Sequence, residues 1–215
     1  MDRQEWLGKK AKAIGGSECA SLLGLNPWMS NVDLWKIKTG RKPKEDISDK
    51  PIVKYGCDYE PILISGFGID YPQYDVFHKE HDLMYHREHS FMVGSFDARL
   101  AEIHTGRKGV LEIKTTNILN STQLDKWKDD NVPDNYFCQL VWYLAVNPEF
   151  QFAYLKALLN WKPFADKQVY QEIRHYKFER KNLENDIDII TKAAIEFWGF
   201  IERDEEPPLR LNPKI

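Results

Sequence analysis

Gly94-Ser95-Phe96-Asp97-Ala98-Arg99-Leu100 is followed by Thr105-Gly106-Arg107-Lys108-Gly109 and then by Val110-Leu111-Glu112-Ile113-Lys114. The outer pieces alternate or run apolar, as strands do, and the glycine-bearing piece between them reads as a hairpin turn. Asp97 is expected on one strand, with Glu112 and Lys114 on the next. Residues two apart on a strand share a face of the sheet. Carboxylates in a largely buried sheet must be paired or hold a metal. Two convergent carboxylates offer hard oxygen donors, which suit Mg²⁺ or Mn²⁺.

The composition sets the frame for that motif. The chain has 215 residues, 42% of them hydrophobic and 13% aromatic, enough for one sizeable core and too apolar for disorder. A net charge of −3 excludes a generally basic nucleic-acid coat, so any phosphate must meet a local patch. Cys19, Cys57 and Cys138 form no CxxC pair, which argues against zinc, an iron–sulfur cluster or a disulfide framework and suits a reducing cytosol. No apolar run is long enough to span a membrane and no basic-then-apolar leader appears, so the expected location is cytoplasmic.

Upstream, Trp6-Leu7 precedes Lys9, Lys10 and Lys12, and Ile14-Gly15-Gly16-Ser17-Glu18 reads as a tight loop feeding a short helix that Gly24 ends. The ordinary role of Ser17 is an N-cap. The sharper reading joins the glycine amides, the Ser17 hydroxyl and Lys10 into a phosphate pocket. Ser30 or Asn31 caps a second helix that stops at Gly40. Lys36, Lys38, Arg41, Lys42 and Lys44 read as a solvated helix end, and as a DNA-backbone contact only beside another DNA motif. Residues 51–68 carry a helical stripe, with Gly56 and Glu60 on one face. Glu60 is a surface acid by default, and a metal or water ligand if it points at the Asp97 face. Residues 74–88 suggest a strand or hairpin. His78, His81, His86 and His89 lie there without an HxxxH pair, and exposed positions are expected for them.

Downstream, residues 118–133 look irregular or partly helical. Pro133-Asp134 starts a helix that Asn147-Pro148 ends. Gln139 is polar among apolar neighbours, either as a satisfied interface amide or as a partner for Lys114 or a phosphate. Strands at 150–159 and 168–176 and a long amphipathic helix at about 180–203 complete the chain. The expected fold is α/β, a mixed central β-sheet flanked by α-helices in one domain, with its core at about 6–203 and a tail at 204–215.

Five pieces in order carry a resemblance: Trp6-Leu7 with Lys10; Ile14 to Glu18 with Leu23 to Pro27; Gly56 with Glu60; Gly94 to Asp97 with Leu111 to Lys114; and Gln139 with Tyr143. The set resembles the P-D…(D/E)-x-K nucleases and, more narrowly, the YqaJ-type viral recombinases related to phage lambda exonuclease. Two positions depart from that pattern. Lys10 stands where the family often has Arg and lacks a bidentate fork for a terminal phosphate. Phe96 stands where many relatives have Pro.

The resemblance implies a restriction-endonuclease-like fold and a Mg²⁺-dependent exonuclease at double-stranded DNA ends. It implies 5′→3′ digestion that leaves 3′ overhangs for homologous recombination. Glu60, Asp97, Glu112, Lys114 and Gln139 would be catalytic. Asp97, Glu112 and the Ile113 backbone carbonyl would hold one Mg²⁺ or Mn²⁺, and Glu60 a second ion or its water. Lys10, Ser17 and Ser95 would bind the 5′-phosphate. A single-strand annealing protein would be the partner. The chain would form a homo-oligomer, such as a ring-shaped trimer, in a bacterial or phage-infected cell. Two alternatives stay open, a structure- or site-specific endonuclease and a non-catalytic DNA-end-binding protein. Glu112 and Lys114 alone could be a plain same-face ion pair.

Overall fold

Two apolar clusters lie on opposite faces of one five-stranded sheet in the computed structural model, which describes residues 2–161 and 169–211. In chain order come α1 (Arg3–Ala11), α2 (Gly16–Cys19) running into a 3₁₀ turn (Ala20–Leu23), α3 (Asn31–Lys38) and α4 (Pro51–Asp70). Then follow β1 (Tyr74–Phe77), β2 (Met84–Tyr85), β3 (Val93–Gly94), β4 (Ala98–Glu102) and β5 (Lys108–Ile118). The remainder is α5 (Ser121–Asp125), α6 (Asp134–Val146), β6 (Phe150–Trp161), β7 (Tyr170–Glu179), a 3₁₀ turn (Arg180–Asn182) and α7 (Glu184–Glu202).

The main sheet has the order β1-β4-β5-β6-β7, and β2 pairs with β3 in a separate ribbon. β4 and β5 form the expected antiparallel hairpin. β5 and β6 run parallel, so the chain must cross back between them, and α5 and α6 supply the crossover. β7 returns antiparallel to β6, which makes the sheet mixed as expected. The larger core lies between the sheet, α6 and α7, and the smaller one between the sheet and α4.

Helix signals in the sequence explain most boundaries. Ser30 Oγ accepts from the Asp33 amide at 3.0 Å and caps α3, and Pro51 opens α4. Gly24 ends the 3₁₀ turn at φ 71°, where a side chain would be strained. α1 was not expected as a helix: no residue in it is buried, so it shows no apolar stripe. Residues 94–100 were expected as one strand. Instead the chain leaves the β2–β3 ribbon at Gly94 and enters the main sheet at Ala98. The Phe96 ring folds over Gly94, where an added Cβ would lie 2.5 Å from ring carbons. Asp97 therefore sits at the mouth of β4 rather than within a strand.

The segment after α7 is tied down as far as residue 211. Asn31 Nδ2 donates to the Pro208 carbonyl at 2.8 Å and Asn31 Oδ1 accepts from the Arg210 amide at 2.9 Å. The start of the expected strand at 168 and the last residues, 212–215, lie outside the described residues.

The β4–β5–β6 register that carries the acids passes through Gly109, which is paired with Phe152. A Cβ there would lie 2.2 Å from the Phe152 ring. Gly109→Ala is expected to destabilise the protein by about 1–3 kcal/mol through overpacking. Chemical denaturation measures this, and an unchanged midpoint would show that the ring can move aside.

Candidate active site

Glu112 is the centre of the polar network on the α6 face of the sheet. It is 3% exposed in the middle of an apolar strand, so its charge needs partners. Gln139 Nε2 donates to Glu112 Oε1 at 2.7 Å, and the Tyr143 hydroxyl lies 2.9 Å from Oε2. The same hydroxyl lies 2.6 Å from Gln139 Nε2 and 2.8 Å from the Ser95 carbonyl. Positions 139 and 143 are one helical turn apart, so α6 lays both over Glu112. Lys114, two residues further along β5, forms an ion pair with Glu112 and lies 5.4 Å from the centre of the Tyr136 ring. Gln139 is thus the satisfied amide at the helix–sheet interface that the sequence offered as one reading, and it orients Glu112 rather than Lys114 or a phosphate.

Asp97 joins the site from the β4 side. The β4–β5 pairing ends at Ala98 and Leu111, so the Ile113 amide lies beyond its last rung. Asp97 Oδ2 accepts that amide at 2.7 Å and extends the ladder with a carboxylate. Burial and the neighbouring charge of Glu112 push the Asp97 carboxyl well above the usual range. Glu60, on α4, is raised by the same two causes in the same order. Gly56, one turn earlier on α4, lets the helix approach β5: a Cβ there would lie 3.0 Å from Thr115 Oγ1. Burial opposes the charge on Lys114, but Glu112 and Asp97 outweigh it and raise its pKa.

Three carboxylates thus share one lysine, and a cation bound among them would relieve their repulsion. Their oxygens are the hard donors that a small divalent ion takes. Among the described residues, no three His, Cys, Asp or Glu side chains stand close enough to enclose an ion alone. An ion here would complete its shell with a backbone carbonyl such as that of Ile113, water or phosphate oxygen, as Mg²⁺ commonly does.

A second cluster adjoins the acids. The Trp6 indole donates to Ser95 Oγ at 3.3 Å, and Lys10 Nζ lies 4.1 Å from the centre of the Trp6 ring. One tryptophan thereby gathers two of the three residues expected to bind phosphate. Ser17 is exposed in α2 and does not cap it; Gly15 is the N-cap. Glu18, at the third helical position, reaches back so that its Oε2 accepts from the Gly15 amide at 3.1 Å, the carboxylate half of a capping box. α2 presses against α6 at Gly16, where a Cβ would lie 2.6 Å from the Tyr143 ring. The loop is in direct contact with the side chain that holds Glu112.

Other residues escaped the sequence reading. Lys38 is no solvated helix end; its side chain is 2% exposed and pairs with Glu18 at 2.8 Å. Most of its neighbours are also compensated: Lys36 by Glu206, Arg41 by Asp204 and Lys42 by Asp33. Such pairs are distant in the chain and carry no local signal. His78 Nδ1 lies 2.6 Å from the Asp97 carbonyl, at the rim of the acids. His81 packs on Trp6 with ring centres 5.3 Å apart, and His86 and His89 stack on each other at 4.9 Å.

A family model for the YqaJ-like viral recombinase domain matches residues 5–149. The chain belongs to that family. Among relatives is the uncharacterized protein YqaJ of Bacillus subtilis, 32% identical over 200 residues. That match covers 93% of the chain but 56% of the relative, so the chain spans about half of the relative's length. Among solved structures, the fold is similar to an alkaline exonuclease from Laribacter hongkongensis, with a TM-score of 0.60 at 15% identity, covering 93% of this chain and 95% of that one. A phage-related exonuclease from Haemophilus somnus 129PT matches with a TM-score of 0.53 at 15% identity, over 89% of this chain and 96% of that one. At such identities the likeness establishes a shared fold, the restriction-endonuclease-like α/β architecture. The family match runs from within α1 to just past the end of α6 and so contains every side chain of the acidic cluster and of the lysine cluster beside it.

The raised carboxyl of Asp97 has a measurable sign. Its folded pKa lies above the unfolded value of about 3.9. The folded state then holds more protons, and stability falls as pH rises between those two values. Without metal, Asp97→Asn removes the repulsion. In EDTA at pH 7 the variant should melt above the wild type, by about 2–4 °C per kcal/mol relieved. The gap should close towards pH 4, and a gap independent of pH would contradict the assignment.

Proposed function

We propose that the chain is a divalent-metal-dependent DNA exonuclease. It acts on double-stranded ends, digests one strand 5′→3′ and leaves a 3′ overhang for homologous recombination. The observation that carries this reading is the single face formed by Asp97, Glu112 and Lys114, with Glu112 fixed by Gln139 and Tyr143. A non-catalytic DNA-binding protein would gain nothing from three acids turned towards phosphates. Membership of a recombinase family and a fold shared with exonucleases support the same reading.

Asp97, Glu112 and the Ile113 carbonyl are the proposed ligands of one Mg²⁺ or Mn²⁺, with Glu60 at a second ion or its water. When bound, the ion lowers the pKa of its water and offsets phosphate charge. The chain's own groups do the rest. Lys114 donates to the developing negative charge, already oriented by Glu112 and Tyr136. Gln139 and Tyr143 hold Glu112 in one rotamer, so both acids need little reorganisation. Lys10, Ser17 and Ser95 receive the terminal 5′-phosphate, with Trp6 fixing Ser95 and supporting Lys10.

The Laribacter exonuclease was crystallised with dAMP, a nucleoside monophosphate of the kind that stepwise cleavage releases. The reading extends to a homo-oligomer, with a ring-shaped trimer as its form, and to a single-strand annealing protein that takes up the overhang.

Purified protein with Mg²⁺ should release mononucleotides from linear duplex and leave covalently closed circles intact. Asp97→Ala should slow release by at least about a hundredfold, as expected for loss of a group that organises transition-state charge. Equal cleavage of closed circles would point to an endonuclease, and full activity of Asp97→Ala would overturn the metal assignment.

A further inference from the structure

Glu18 is 5% exposed and is surrounded by cations. Its Oε2 accepts from Lys38 at 2.8 Å and from the Gly15 amide at 3.1 Å, and its Oε1 from Lys44 at 2.9 Å. The two lysines are not equivalent. An ammonium has three donors. Lys38 uses all of its donors inside the protein, on Glu18 and on the Lys10 and Ala13 carbonyls, and ties α3 to the end of α1. Lys44 comes from the loop after α3 with its side chain 60% exposed, and Glu18 engages one of its donors. The buried acid thus anchors an exposed lysine.

Gly15 separates this anchor from Lys10: a Cβ there would lie 3.8 Å from Lys10 Cε and 3.9 Å from Glu18 Oε2. Among the described residues, no acid forms an ion pair with Lys10, and its ammonium rests on the Trp6 ring. Lys10, Lys38 and Lys44 against the single charge of Glu18 leave two positive charges around the Gly15-Gly16 loop. Burial first, and then the charge of Lys44, lower the Lys10 pKa to about 8, against the opposing charges of Glu18 and Glu112.

We infer that Lys44 is a second ligand for the terminal 5′-phosphate, and that Glu18 is the positioning residue that holds it opposite Lys10. The inference rests on the end-directed exonuclease reading and deepens it. A terminal phosphate monoester carries close to two negative charges at neutral pH, while each internal diester carries one. Two uncompensated positive charges match the former. Lys10 and Lys44 approach from different elements and together supply the two-sided contact that one lysine in place of an arginine fork does not.

The test compares initial rates on linear duplexes with 5′-phosphate and 5′-hydroxyl ends, in Mg²⁺. The wild type should prefer phosphorylated ends. Lys44→Ala should reduce that preference about tenfold, the loss of one charge-assisted hydrogen bond, through a higher KM for phosphorylated ends. Lys44→Arg should restore it. Lys42→Ala removes equal charge from the same loop, where Lys42 pairs with Asp33, and should keep the wild-type preference. Glu18→Gln should reproduce the KM effect of Lys44→Ala; if that variant fails to fold, the Lys44 pair decides alone. A wild-type preference retained in Lys44→Ala would overturn this inference and leave the exonuclease reading intact. A wild type indifferent to the end group would overturn phosphate recognition at Lys10, Ser17 and Ser95, and this inference with it.

Discussion

The structure depends on a carboxylate placed where a carboxylate is costly. Glu112 lies in the central parallel strand pair, buried between the sheet and α6. Its charge is tolerated because Lys114, Gln139 and Tyr143 surround it. Removing any one partner would leave a buried charge short of a hydrogen bond, at a cost of roughly 1–3 kcal/mol. That requirement fixes the rotation of α6 over β5. α6 in turn fixes α2, because the Tyr143 ring leaves no room for a side chain at Gly16. Local helix propensity would not specify such an arrangement; it follows from satisfying one buried charge.

Two electrostatic deficits then stand side by side. The carboxylates of Glu60, Asp97 and Glu112 exceed the one lysine among them and call for a cation. The lysines around Gly15 exceed the one acid among them and call for an anion. Tyr143 and Trp6 lie between the clusters, through the Ser95 carbonyl and hydroxyl respectively. A cation at the first and a phosphate at the second would give the layout that cleavage a fixed distance from a strand end requires. The opposite face of the sheet contributes Glu60 through α4, whose approach is set by Gly56 against Thr115.

Much of this could be read from the chain because it is written in short-range patterns. The hairpin turn at 105–109, the period-two placement of Glu112 and Lys114, the cap at Ser30 and the helix-opening Pro51 are local features. The helix–sheet order follows from apolar periodicity. What escaped the reading depends on residues far apart in sequence. Lys38 looks solvated until Glu18 is brought to it. The partner of Gln139 depends on how α6 crosses β5. The break at 95–97 follows from the Phe96 ring folding over Gly94, which no alternation of apolar residues reports. α1 has no buried face and so no stripe, yet it carries Trp6 and Lys10 to the site. The family resemblance supplies the candidate site residues in order, and the structure adds which of them touch.

The excess negative charge at Asp97 and Glu112 is the proposed seat of a divalent ion. Crystals grown with Mn²⁺ and measured at its absorption edge test this most directly. An anomalous peak beside the Asp97 and Glu112 carboxylates is expected, and its loss in Asp97→Asn. Mn²⁺ bound only elsewhere, with the Glu112 and Lys114 pair unchanged and Asp97 still on the Ile113 amide alone, would contradict it.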